Sequence, residues 1–227
     1  MEKQYYYAYS QYLKDKYGEK VYKLPVNLPV TCPNKKDGKG CLFCAEAGTG
    51  FEASDSSVSV FEQLAASRTK VEKRYHAHKF IAYFQNYTNT FLPLDRLLGY
   101  MEEASKVEDI VEISISTRPD CIRQDYLEAF YEFSSRTGIE VSIELGLQTV
   151  NYHTLMEMNR GHGLAEFIDA VLRIAPYHFP VCVHMILNLP GDTMDDAEES
   201  ARILSTLPIS MVKLHSLYIP KKCELYD

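Results

Sequence analysis

The chain has 227 residues, 46% hydrophobic and 24% charged, a balance that excludes a disordered or fibrous protein and leaves room for one large domain or two small ones. With 31 acidic against 24 basic residues the net charge is −7, which disfavours phosphate-backbone binding by the whole surface. No run reaches the roughly 18 apolar residues of a membrane span, and MEKQYYYAYSQYLKDKYGEK lacks the apolar core of a signal peptide. These features predict a cytoplasmic protein without membrane contact.

The first element, over residues 1–20, is Tyr-rich: Tyr5, Tyr6, Tyr7, Tyr9, Tyr12, Tyr17 and then Tyr22 interleave with Lys3, Lys14, Lys16, Lys20 and Lys23. Such a stripe either stacks bases and contacts phosphate, or packs its rings across the open edge of a sheet. β-prone runs follow at 21–30, 79–84, 109–116, 140–148, 181–190 and 211–219. Several are apolar almost throughout, as expected for strands buried on both faces of a parallel sheet.

Helical periodicity fills the intervals. Ser59 and Glu62 form a capping box ahead of a face made of Phe61, Leu64, Ala65, Arg68 and Val71. Pro93 suits a first helical position before Leu94, Leu97, Leu98 and Met101. Leu127, Phe130, Tyr131 and Ser134 repeat until Gly138 stops the helix. Leu164, Phe167, Ile168, Val171 and Leu172 mark a fourth helix, and Thr193 caps a fifth.

This β-α alternation predicts right-handed crossover units. A closed eight-unit barrel typically needs about 250 residues. The predicted fold is therefore α/β, a partial (three-quarter) parallel (β/α)6 barrel filling residues 1–227 as one domain, with a doubly wound sheet as the alternative. Ligands bind such sheets at the C-terminal strand ends, where the cysteine loop, QNYTNT, STRPD, LQT and NLPGD fall.

Of six cysteines, Cys32, Cys41 and Cys44 are spaced C-x8-C-x2-C immediately after the first run. Thiolates at such spacing converge on a metal. Structural zinc wants a fourth protein ligand, for which His76 or His78 is a candidate, whereas a 4Fe-4S cluster held by three cysteines keeps one iron open. Cys121, Cys182 and Cys223 lack paired spacing and read as inert thiols, although Cys121 and Cys182 are placed to face the barrel mouth.

The three-cysteine loop, with Phe43 just before Cys44, resembles the radical SAM superfamily. The long first gap departs from that superfamily's usual C-x3-C-x2-C. The stretches YLKDKYGEKVYK, TCPNKKDGKGCLFC, AYFQNYTNTF, STRPDCI, IELGLQT, MNRGH, LNLPGDT and VKLHSLY resemble the YhcC-type branch, related to the elongator catalytic subunit and oxygen-independent coproporphyrinogen oxidase. YhcC-type chains continue beyond VKLHSLY, so the resemblance suggests a truncated or short homologue lacking part of its substrate site.

The resemblance implies that Cys32, Cys41 and Cys44 hold a 4Fe-4S cluster whose open iron is chelated by S-adenosylmethionine. Reductive cleavage would then give a 5'-deoxyadenosyl radical that abstracts hydrogen from a substrate. It implies cofactor contacts by Phe43, Gln85, Thr88, Glu144, Gln148, Arg160 and His184, and an electron donor of flavodoxin or ferredoxin type. Alternatives remain open at several of these. Arg160 caps a helix or joins an ion pair; Gln85 and Asn86 merely close the barrel mouth; Glu144 pairs with a neighbouring base; His184 is a core histidine; Asn188 to Gly191, which resemble the family's fifth-strand segment near adenine, form only a tight turn. Ser116 and His184 stand where relatives carry Glu and Asp, a departure from the family pattern at both positions. The motifs do not identify the substrate, for which an RNA base and a small metabolite compete. The competing class is a zinc-stabilised barrel acting as a non-catalytic binding module.

Overall fold

The computed structural model describes residues 5–36, 38, 40–44, 54–219, 221 and 223–226. Lys3 and the end of the cysteine-loop stretch lie outside them. In chain order the elements are α1 (Tyr9–Tyr17), β1 (Val21–Val26), α2 (Pro33–Lys36), α3 (Val60–Tyr75), β2 (Lys79–Phe84), α4 (Leu94–Ser105), β3 (Ile110–Thr117), α5 (Gln124–Thr137), β4 (Glu140–Gln148), α6 (Tyr152–Glu157), α7 (Leu164–Ile174), β5 (Val181–Leu187), α8 (Met194–Ser205) and β6 (Met211–Ser216). The six strands run in sequence order, each parallel to the next, as a partial parallel β/α barrel.

Side-chain alternation along the strands decides which face meets the helices. Ile113, Ile115, Val141, Ile143, Leu145, Val181, Val183 and Met185 join Leu97, Phe130, Phe167 and Val171 in the main core. The residues between them, Ser114, Ser116, Ser142, Glu144, Cys182 and His184, turn to the barrel interior. Strands β3–β5 are thus not apolar on both faces, their inner face being polar, whereas β2 is apolar on both, with Phe80 and Phe84 in the main core and Ile81 against α1.

The expected helices form, with local corrections. The Ser59–Glu62 capping box is present, and a second joins Thr193 to Asp196. Gly138 ends α5 with φ 72°, a left-handed conformation that glycine adopts without Cβ strain. Pro93 is the cap of α4 rather than its first residue. On α3 the buried side chains are Val60, Gln63 and Leu64, while Phe61 is exposed. Gln63 rotates the face: its amide bonds the backbone N–H and C=O of Asn27, satisfying the chain where β1 ends short of the expected strand at residue 30.

The Tyr-rich segment also departs from expectation. Leu13 of α1 packs on Val21 and Ile81, flanked by Tyr9, Tyr12 and Tyr17. The Tyr17 hydroxyl lies 2.7 Å from Glu112 and 2.8 Å from Glu140, and Lys16 pairs with both carboxylates. The helix therefore plugs the end of the barrel where the strands begin, not its open edge. Tyr5, Tyr6 and Tyr7 remain exposed, but Lys16 and Lys23 are committed to carboxylates, which weakens the stripe as an RNA platform.

Candidate active site

Cys32 follows β1 and its carbonyl accepts the N–H groups of Lys35 and Lys36, starting the single turn of α2. The loop is clamped onto the turn between α6 and α7. Asn34 Nδ2 donates to Asn159 O at 2.5 Å, Asn159 Nδ2 to Gly40 O at 2.7 Å, and Leu42 N to Met158 O at 3.1 Å. That turn carries Arg160 and positive φ at Asn159 and Gly161.

Ten of the residues named for cluster or cofactor contact line one cavity of about 160 Å³ at the C-terminal strand ends, namely Cys32, Cys41, Phe43, Cys44, Gln85, Thr88, Glu144, Gln148, Arg160 and His184, whereas Asn188 lines a neighbouring cavity. Donors converge on two of the sulfurs. Arg160 Nη1 and Asn34 Nδ2 each lie 3.5 Å from Cys41 Sγ, and Arg118 Nη1 lies 3.7 Å from Cys32 Sγ. Burial pushes the Cys44 thiol up, with Cys41 and Cys32 adding to it against Lys35 and Arg160. The three thiols therefore share one electrostatic neighbourhood.

Arg160 neither caps a helix nor joins a surface ion pair. It is 7% exposed, donates from Nη2 to Gly146 O at 2.6 Å, and keeps Nε buried without a hydrogen-bond partner among the described residues. Gly146 makes this possible: a Cβ there would stand 2.8 Å from both Arg160 Nη2 and Gln148 Nε2. A register shift between Gly146 and Gln148 accompanies φ 83° at Gln148, strain located where the strand meets the cavity. His162 Nε2 is 3.1 Å from Gly146 O; burial and Arg160 push its pKa down to about 4.

The opposite wall is built around Glu144, 1% exposed. Its carboxylate accepts from Lys23 Nζ, from Ser114 Oγ at 3.0 Å and from His184 Nε2 at 2.6 Å. Burial opposes its charge, but the His184 bond, Lys23 and Lys213 hold the carboxyl well below the usual range. His184 Nδ1 in turn lies 3.1 Å from His215 Nε2. Glu144 thus pairs with bases, and His184 is a cavity-wall group rather than a core histidine. Among the described residues, Glu144, Cys182 and His184 form a group of ligating side chains with donor atoms within 4.8 Å of one another. Cys182 itself lines a small void beneath, its thiol pushed up to about 12 by burial and Glu144.

The zinc alternative fares poorly. His76 and His78 precede β2, at the barrel end opposite the cysteine loop, and the His78 side chain is 67% exposed. Sequence reasoning also missed Arg118, Tyr83, Gly146 and Asn34. STRPD offered a signal for the first, an Arg two residues before an Asp at a strand end. The others become neighbours only when strands and loop are brought together.

A family model described as the radical SAM superfamily matches residues 26–204. The chain belongs to the radical SAM superfamily. An uncharacterised protein of Methanocaldococcus jannaschii is 33% identical over 220 residues, covering 96% of this chain and 68% of that one. Protein YhcC of Escherichia coli is 35% identical over 213 residues, covering 92% and 67%. Among solved structures, archaeal Elp3 of Methanocaldococcus infernus superposes with TM-score 0.67 at 17% identity, covering 91% of this chain and 48% of that one. Escherichia coli coproporphyrinogen III oxidase, described as a radical SAM enzyme, gives 0.60 at 17%, covering 97% and 50%. The chain thus spans about half the length of these solved proteins, which share its fold.

Proposed function

We propose that this radical SAM chain binds a 4Fe-4S cluster through Cys32, Cys41 and Cys44 and S-adenosylmethionine in the adjoining cavity. The observation that carries this is the convergence of three cysteines at one cavity, with cationic donors directed at two of their sulfurs. Such donors gain most from ligating thiolates, so the donor set fits the group. The buried, unpartnered Nε of Arg160 and the bare Gly146 beside it fit an occupant that brings acceptors. Held by these residues, the cluster would supply the electron for reductive cleavage of the cofactor's sulfonium.

In this reading the residues of the chain position and shield. Arg160 offers its guanidinium to the cofactor carboxylate, a group it can grip at two points. Gln148, Gln85 and Thr88 offer amide and hydroxyl groups from the strand ends, and Phe43 covers the loop side. Glu144 and His184, fixed by Lys23 and His215, present an acceptor and a polar ring to ribose or substrate. Helix α1 closes the barrel from below and would keep water from entering the cavity at that end. The electron comes from a flavodoxin- or ferredoxin-type donor, in the cytoplasm.

The test is formation of 5'-deoxyadenosine by anaerobically reconstituted, reduced protein. The expected result is slow release by the native chain and none by Cys41→Ser. No release despite an intact reduced cluster and measurable cofactor binding contradicts the proposal.

A further inference from the structure

On the sulfur side of the cavity, the donor directed at Cys32 is Arg118. Arg118 follows β3 and is 4% exposed. Asp120 grips it from one edge, Nε to Oδ1 at 2.9 Å and Nη2 to Oδ2 at 2.8 Å. This two-point bond fixes the plane of the guanidinium and leaves Nη1, which lies 3.7 Å from Cys32 Sγ. Burial works against the Asp120 charge, but the Arg118 bonds hold its carboxyl below the usual range.

The surroundings make room for this arrangement. Gly161 has φ +71°, and a Cβ on it would stand 3.1 Å from Arg118 Nη2 and 2.6 Å from Asn34 Oδ1. The turn that carries Arg160 is therefore bare where the guanidinium and the cysteine loop pass. A buried guanidinium gains little from a neutral thiol. Beside a ligating thiolate it makes a charge-assisted hydrogen bond, and donors to cluster sulfurs stabilise the more negative, reduced state.

We propose that Arg118, oriented by Asp120, is a positioning residue that donates to the Cys32 sulfur and raises the reduction potential of the cluster. This rests on the cofactor reading above. In the step concerned, one electron from the flavodoxin- or ferredoxin-type donor takes the cluster from the 2+ to the 1+ state. No covalent bond is made or broken, and the guanidinium keeps its proton.

The experiment is a potentiometric titration with dithionite and mediators, followed by electron paramagnetic resonance, on reconstituted native, Arg118→Met, Arg118→Lys and Asp120→Asn proteins of measured iron content. Arg118→Met is expected to lower the midpoint by about 59 mV, a tenfold change in the one-electron equilibrium. Asp120→Asn, which frees the guanidinium to turn, lowers it by less, and Arg118→Lys recovers part of the loss. Should Arg118→Met fail to fold or to take up iron, the Asp120→Asn midpoint decides. Full iron with an unmoved midpoint in the measurable variants overturns this proposal alone. A native chain that takes up no iron overturns the cofactor reading and this proposal with it.

Discussion

The two walls of the cavity are held together by opposite means. Around Glu144 each charge has its counterpart: the carboxylate meets Lys23, Ser114 and His184, and His184 leans on His215. Around the cysteines the cations have donors to spare. Arg160 Nε has no partner among the described residues, and the tips of Arg118 and Arg160 rest on sulfurs at 3.7 and 3.5 Å. One wall is electrostatically complete as it stands. In the proposed reading the other becomes complete with an occupant that brings acceptors, so the Glu144 wall needs no ligand to hold together and the cysteine wall does.

Substitutions that separate stability from binding break or sharpen this contrast. The largest effect is expected from Glu144→Gln, which strands the Lys23 ammonium in the barrel interior. Removing one partner of a buried pair costs roughly 3–5 kcal/mol, and the partial exposure of Lys23 puts this pair at the lower end. About 3 kcal/mol corresponds to a fall of roughly 6–12 °C in Tm for a chain of this size. Because the folded pKa of Glu144 is depressed, its contribution is present above the unfolded value of about 4.3 and is lost as pH falls through the folded value. A Glu144→Gln melt within 2 °C of the native one would show that the Glu144 wall is not structural.

A smaller change in free energy is expected from Gly146→Ala, on the other side of the contrast. The new methyl meets Arg160 Nη2 and Gln148 Nε2 at 2.8 Å and pushes both away from the cavity. S-adenosylmethionine binding to the cluster-loaded protein, measured by calorimetry, should weaken about tenfold, or roughly 1.4 kcal/mol, with Tm near the native value. Native affinity in the variant would remove Arg160 and Gln148 from the binding wall.

Much of the fold was legible because one periodicity fixed it. Crossover spacing, the Ser59–Glu62 and Thr193 caps and the Gly138 stop are local signals, and local signals survive folding. The cysteine loop was legible for the same reason, since three cysteines on one short stretch need no partner strand to be noticed. The alternation Ile113, Ser114, Ile115, Ser116 also carries the polar barrel interior, which the expectation of strands buried on both apolar faces passes over. Phe61 was put on the buried face of α3 because hydropathy ranks it above Gln63, whose amide is what the Asn27 backbone requires. Arg118, Asn34 and Gly146 were beyond sequence reasoning for a different reason. Arg118 and Asn34 matter through atoms contributed by distant elements, and Gly146 matters because it has no side chain at all.

The most direct measurement is metal analysis of the chain after anaerobic reconstitution with iron and sulfide. The account predicts about four irons per chain with matching sulfide, falling to near zero in a Cys32, Cys41 and Cys44 triple Ser variant that still folds. One zinc per chain, unchanged by reconstitution and retained in that variant, would contradict it.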